Sequence, residues 1–304
     1  MTAYQFIHKN IGLYTVREMA GLFGVSRGAY YQWLKAGRPS RENNPDAELV
    51  GLIREIALKH RRRYGILRVR KELRAKHGIS VSRKKVARLM REHGLNARRK
   101  RKFIPTTDSR HSLPVCENIL NREFYAEGPG QKWVSDITYL RTATGWIYLT
   151  AVIDLFDRTV IGWALSDNLE TRSTAVPAFE MAVKNRAPQK GLIFHSDRGV
   201  QYCAQSFRNG MRTLCPAVRQ SMSRKGNCGD NSCAESFFKT LKTEEEKLNG
   251  KYSANDVRQA VFFYVESYYN RNRIHSALTI LRLMIIILRK LLNFVYQLGD
   301  SPVY

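Results

Sequence analysis

The chain has 304 residues, 43% hydrophobic and 11% aromatic, enough to bury sizeable cores in about two domains. Its 51 lysines and arginines against 26 acids leave a formal charge of +25, so a polyanion, DNA or RNA, is the first partner to consider. Five scattered cysteines (Cys116, Cys203, Cys215, Cys228, Cys233) form no Cys-x-x-Cys pair, which excludes a disulfide framework and a zinc knuckle, and the N-terminus lacks the apolar core of a secretion signal.

In chain order, "TVREMAGLFGVSRGAYYQWLKAG" has helix-turn-helix spacing within residues 1–40. Ala20 is the small contact residue, Gly24 the turn, Tyr30 and Trp33 the buried anchors, and Ser26 the cap of a second helix that presents Arg27 and Lys35. A plain helical hairpin has the same pattern. A second helical module with a basic linker is predicted over 41–110, with helices at 47–59, 66–77 and 82–93. In the last of these Ser82 caps, Val86, Leu89 and Met90 form the apolar stripe, and Arg83, Lys84, Lys85, Arg88 and Arg91 face outward. Arg98, Arg99, Lys100, Arg101 and Lys102 follow as consecutive cations that repel one another unless a phosphate backbone lies near.

From residue 131 the pattern turns to strands. "KWVSDITYL", "GWIYLTAVIDLF" and "RTVIGWALSD", joined by turns at 142–145 and 156–158, predict an antiparallel meander. A helix over 170–185, interrupted at Pro177, a strand "GLIFHSD", a helix over 204–214, a strand "AVRQSMS" and a helix around Glu235 complete the order β-β-β-α-β-α-β-α. That is the order of a ribonuclease-H-like α/β fold: a mixed five-stranded sheet with helices on both faces, over 125–278, preceded by all-α helix-turn-helix modules.

Three acids carry the chemistry in this reading. Asp136 sits inside the first apolar strand, where a carboxylate is costly to bury without a cation or strong donors. Asp197 ends the fourth strand, beside the first in this fold. Glu235 belongs to a helix that Asp230 or Asn231 would cap, with Asn231, Glu235, Lys239 and Lys242 on a polar stripe and Ala234, Phe237, Phe238 and Leu241 on an apolar one. For either aspartate a structural salt bridge is the alternative in so arginine-rich a chain. Brought together, they repel unless divalent ions lie between them, and hard oxygen donors suit Mg²⁺ or Mn²⁺, two ions per site for in-line phosphoryl transfer.

The stretches "WVSDITYL", "YLTAVIDLFDR", "HSDRGVQY", "SMSRKGNCGDN", "AESFFKTLK" and "YNRNRIHSAL", with "YGILRVRKEL" and "VARLMREHGL" upstream, resemble the orfB-type transposases of insertion-sequence family three, relatives of retroviral integrases. The likeness runs from about residue 4 to residue 278. It implies that Asp136, Asp197 and Glu235 are catalytic and metal-binding, and that Lys242 contacts donor DNA. It further implies metal-dependent cleavage at terminal inverted repeats, then 3′-hydroxyl attack on target DNA through a circular intermediate. A homo-oligomer on DNA, an orfA-type protein supplied from an upstream frame, and a cytoplasmic location on the bacterial nucleoid go with it. A DNA-binding regulator or inactive relic, and a nuclease of the same fold, are the alternatives.

Two departures stand out. The spacing of 37 residues between Asp197 and Glu235 is slightly long for the family, which a loop accommodates at little cost. After "NRIHSAL" the family's continuation gives way to "TILRLMIIILRKLLNFVYQLGDSPVY", which reads as a frameshifted end over 279–304, its Leu281, Ile285, Leu288, Leu292 and Val295 still on one helical stripe. Arg282, Arg289 and Lys290 argue against a membrane span, since such charges cost roughly 2.5–3.5 kcal/mol each at a bilayer centre. His60, His77, His93 and His111 lack a matching cysteine pair, so no structural zinc is expected, and His195 is expected to be satisfied by backbone.

Overall fold

A computed structural model describes residues 2–37, 46–98 and 113–275. It divides into two compact units, Met1–Arg98 and Arg99–Tyr304. The cationic run from Arg99 to Lys102 and the divergent tail lie outside the described residues.

The first unit begins with three short helices, α1 (Ala3–Lys9), α2 (Val16–Leu22) and α3 (Arg27–Lys35). Each has its N-cap: Thr2 and Thr15 form capping boxes with Gln5 and Glu18, and the Ser26 hydroxyl accepts the Ala29 N–H. Gly24 takes φ +62 at the turn between α2 and α3, and Ile7, Met19, Ala20 and Tyr30 make a small core with Trp33 half-buried against it. The helix-turn-helix expectation thus holds locally. Helix α1 was not anticipated, although its Thr2-x-x-Gln5 box is legible in the sequence.

Helices α4 (Ala47–Lys59), α5 (Ile66–His77) and α6 (Arg83–Glu92) fall where their periodicity predicts, around buried Ile53, Ile56, Val69, Leu73, Val86 and Leu89. Ser82 caps α6. Lys85 and Arg88 both turn to Asp46, at 2.6 Å each, so two of the five cations assigned to the outward face hold α6 to the start of α4. Asp46 was overlooked because it lies far away in sequence.

The second unit is a five-stranded mixed sheet, β1 (Lys132–Arg141), β2 (Trp146–Asp154), β3 (Val160–Ser166), β4 (Ile193–Ser196) and β5 (Arg219–Met222), in the order β3-β2-β1-β4-β5. The first three strands are an antiparallel meander, while β4 runs parallel to both β1 and β5. On one face Trp133, Val152, Ile161, Phe194 and Met222 pack against α7 (Ala175–Asn185), α8 (Val200–Cys203) and α9 (Gln205–Leu214). Alternation sends Asp136 to the other face, where α10 (Ser232–Glu244) crosses β1 and β2. Beyond it, α11 (Ala254–Phe262) continues into a wider π-helical turn, Phe263–Tyr269.

The predicted helix over 170–185 is shorter than expected. Residues 171–174 form turns, and Pro177 lies in the first turn of α7, where a missing N–H costs nothing. Gly162 lets β3 approach α7 closely: a Cβ there would lie 2.1 Å from the Ala178 carbonyl oxygen and 2.6 Å from the Ala182 nitrogen.

Both borders of the sheet are occupied. On β3 the Asn270 amide accepts the Val160 N–H and donates to the Val160 carbonyl, at 3.0 and 2.9 Å. On β5 the segment 116–120 is tied down by Met222 N–H to Glu117 and by the Ile119 and Leu120 N–H groups to the Ser221 hydroxyl.

Candidate active site

Parallel pairing of β1 with β4 sets Val134 level with His195, so two further residues bring Asp136 beside Asp197, just beyond the end of β4. Asp136 is half-buried and accepts its hydrogen bond from the neighbouring Ile137 N–H at 2.8 Å. Asp197 accepts the Gly199 N–H at 3.0 Å, in a turn where a Cβ on Gly199 would press on that same carboxylate oxygen.

Electrostatics record the proximity of these groups. Burial, then the Asp197 charge and the Glu235 charge, hold the Asp136 carboxyl well above the usual range, against the Ile137 N–H and Lys242. Lys242 is half-buried, and burial pushes it down to about 8 in spite of Asp136. Glu235, in the first turn of α10, is exposed; partial burial raises its carboxyl and Lys239 lowers it. Among the described residues no three His, Cys, Asp or Glu side chains stand close enough to hold one ion. The arrangement is therefore a tight pair of aspartates with Glu235 on its rim.

The start of α10 departs from expectation. Neither Asp230 nor Asn231 caps it by its side chain. Asn231 is buried and donates to the Ser135 carbonyl at 2.9 Å, next to Asp136, so the helix bearing Glu235 is pinned to the strand bearing the first aspartate. Asp230 is fully buried and receives Arg122, Arg224 and Asn118. Farther along, Phe237 meets Tyr269 edge-on at 4.8 Å. The buried Glu244 accepts from Tyr264 and, in bidentate fashion, from Arg273.

His195 is satisfied by serine hydroxyls rather than by backbone alone: Nδ1 lies 2.9 Å from Ser221 Oγ and Nε2 3.2 Å from Ser223 Oγ. Ser221 Oγ already accepts two N–H groups, so its proton goes to Nδ1 and leaves Nε2 as the ring donor. This neutral form agrees with burial pushing the imidazole down to about 4.

The other expected DNA contacts divide by surroundings. Arg27, Lys35, Arg83, Lys84 and Lys239 are exposed, Lys85 and Arg88 are engaged by Asp46, and Arg98 is half-buried with its N–H on the Arg62 carbonyl. Arg122 has no signal in the sequence reading, and Asp230 enters it only as a cap, although an acid inside the cationic stretch "SRKGNCGDN" also points to arginine partners.

Family models match in three places: an integrase core domain at residues 126–228, an HTH-like domain at 45–103 and a second integrase core domain at 217–281. Transposase InsF for insertion sequence IS3A of Escherichia coli K12 is 40% identical over 276 residues, covering 90% of this chain and 94% of the relative. The insertion element IS600 uncharacterized 31 kDa protein of Shigella sonnei is 40% identical over 265 residues, covering 86% and 94%. The HTLV-2 integrase catalytic core domain in complex with magnesium covers 50% of this chain and 93% of its own, at 15% identity and a TM-score of 0.37.

Proposed function

Because the chain belongs to the family of IS3-type insertion-sequence transposases with an HTH-like domain and an integrase core, we propose that it cuts the ends of its element and joins their 3′-hydroxyls to new DNA, with Asp136, Asp197 and Glu235 as the catalytic acids. The observation that carries the assignment is the register of β1 and β4, which brings Asp136 level with Asp197, with Glu235 near enough to add to the rise of the Asp136 carboxyl. The donors of this half-buried acid pair are hard carboxylate oxygens, which fits Mg²⁺ or Mn²⁺. When bound, two such ions would activate the attacking oxygen and stabilise the leaving one.

The protein's own contribution is positioning. Strand pairing fixes the two aspartates, the Asn231 bond to Ser135 fixes the root of α10, and Glu235 on its first turn is close enough to act on the Asp136 carboxyl. Lys242 and Lys239 give that helix the charge to meet a phosphodiester, while the helical unit offers Arg27, Lys35, Arg83 and Lys84 as exposed cations for DNA. Two element ends must be held together, so the working form is a homo-oligomer on terminal repeats and target. An orfA-type partner supplied in trans, and residence on the nucleoid in the cytoplasm, belong to the same proposal. Among the described residues no helix is long and apolar enough to cross a membrane.

The test is strand transfer of labelled terminal repeats with Mg²⁺ or Mn²⁺. Asp136→Asn, Asp197→Asn and Glu235→Gln should each lower the rate at least about a hundredfold and leave repeat binding intact. A chain that binds repeats and never cuts them, in wild-type form and with either metal, is a regulator or relic instead.

A further inference from the structure

The stretch between β5 and α10 holds a second cluster of charge that the catalytic acids do not use. Asp230 is fully buried, and its two oxygens receive five donors. Oδ1 takes Arg122 Nε at 2.7 Å and Arg224 Nη2 at 2.8 Å. Oδ2 takes Arg224 Nε and the Arg224 backbone N–H, both at 2.9 Å, and Asn118 Nδ2 at 3.0 Å. The Arg224 guanidinium holds the Asp230 carboxyl well below the ordinary range in spite of burial, with Arg122 adding to it.

Two features do not suit a simple staple. First, two guanidiniums meet one carboxylate, so the cluster keeps a net positive charge, and both arginines are exposed. Arg224 uses Nε and Nη2 on Asp230, while Arg122 uses Nε on Asp230 and Nη2 on Asn227, so Nη1 of each makes no bond in the described residues. Second, the backbone is strained to bring Arg122 there. Asn121 and Arg122 both take positive φ, +42 and +63, a region costly for residues with a Cβ, and strain of this kind gathers where a side chain must be aimed. The turn is secured by Asn118 Oδ1 on the Asn121 N–H and by the Ser221 hydroxyl on Ile119 and Leu120. The Arg122 guanidinium lies along Gly229, whose Cβ, if present, would be 3.3 Å from Nη2.

We infer that Arg122 and Arg224, held side by side on Asp230, form a clamp for a DNA backbone phosphate next to the catalytic acids. Asp230 adjoins Asn231, which is bonded to β1 beside Asp136, and lies five residues before Glu235. A phosphate seated there would fix the strand relative to the acids without reading a base, since backbone contacts set register and orientation. Paired guanidiniums present the fork geometry that phosphate oxygens accept. The clamp rests on the proposed function in needing DNA as substrate, and it adds residues which that function does not require.

The experiment titrates the full chain with a labelled duplex of arbitrary sequence over a range of salt concentrations, comparing wild type with Arg122→Gln, Arg224→Gln and the double variant. Each lost phosphate contact makes the slope of log K against log salt shallower by about 0.9. The double variant, which gives up that one phosphate, should show the change in full and each single variant a part of it, a readout that a purely structural role would not move. Because glutamine could loosen the turn, a second measurement uses wild type alone: guanidine-specific modification followed by mass spectrometry should find both arginines protected by duplex and not by inorganic phosphate at the same phosphorus concentration. Unchanged slopes, or equal modification with and without duplex, overturn the clamp while leaving DNA binding standing. A wild type that binds no duplex removes the underlying function and the clamp together.

Discussion

Lys242 stands among acids yet loses basicity, because burial outweighs the attraction of Asp136 and brings it down to about 8 from 10.5. Its charge is complete below about pH 7 and fades as pH rises through 8, so any phosphate contact it makes weakens over that interval. The linkage to folding has the opposite sense: between about pH 8 and 10 the unfolded chain binds the extra proton, and stability from this group rises with pH. Duplex binding measured from about pH 7 to 9 should decline more in wild type than in Lys242→Arg, which stays charged throughout. Asp230 behaves as the reverse case. Its lowered carboxyl contributes stability that is present above the unfolded value near 3.9 and is lost as pH falls toward its folded one. Asp230→Ala should cost about 2 kcal/mol at neutral pH in a urea titration, since it orphans donors on half-exposed arginines. Asp136, Asp197 and Glu235 were legible because acids stand out against apolar strands and basic helices. Asp230 was read as a cap, since nothing near it in sequence announces that Arg122 arrives from the segment before β1.

Among the elements, β3 and α7 meet closely at Gly162. A methyl group at Gly162 has no space, its nearest neighbours being α7 backbone and not a movable side chain. Gly162→Ala should therefore destabilise by about 3 kcal/mol or more, read as a lower urea midpoint. Helix α10 depends on a different device, the buried pair of Glu244 and Arg273 braced by the Tyr264 hydroxyl. Removing one partner, as in Arg273→Met, strands a buried carboxylate and should cost about 3–5 kcal/mol, whereas replacing both by apolar side chains should cost less. Helices with clear stripes, α4 to α6, were predicted nearly to the residue, because one apolar face determines both existence and extent. The beginning of α7 and the split between α8 and α9 were not, since local turns there compete with helix and only tertiary packing decides.

On the scale of the whole molecule, charge dominates what can be measured. A formal +25 distributed over a helical unit and a catalytic unit implies binding governed by counterion release. Raising salt from about 50 to 200 mM should weaken duplex binding by a factor of roughly 10³ or more; a salt-insensitive complex would contradict the whole electrostatic reading. The order of elements and the basic front end were visible in the sequence, because both are properties of long stretches, whereas pairings such as Asp46 with Lys85 require chain segments that only folding brings together. The amide of Asn270 on Val160 at the start of β3 and the segment 116–120 beside β5 act as selvedges: at those positions the border strands' backbone is already taken by the chain itself and is not free for a neighbouring copy to extend.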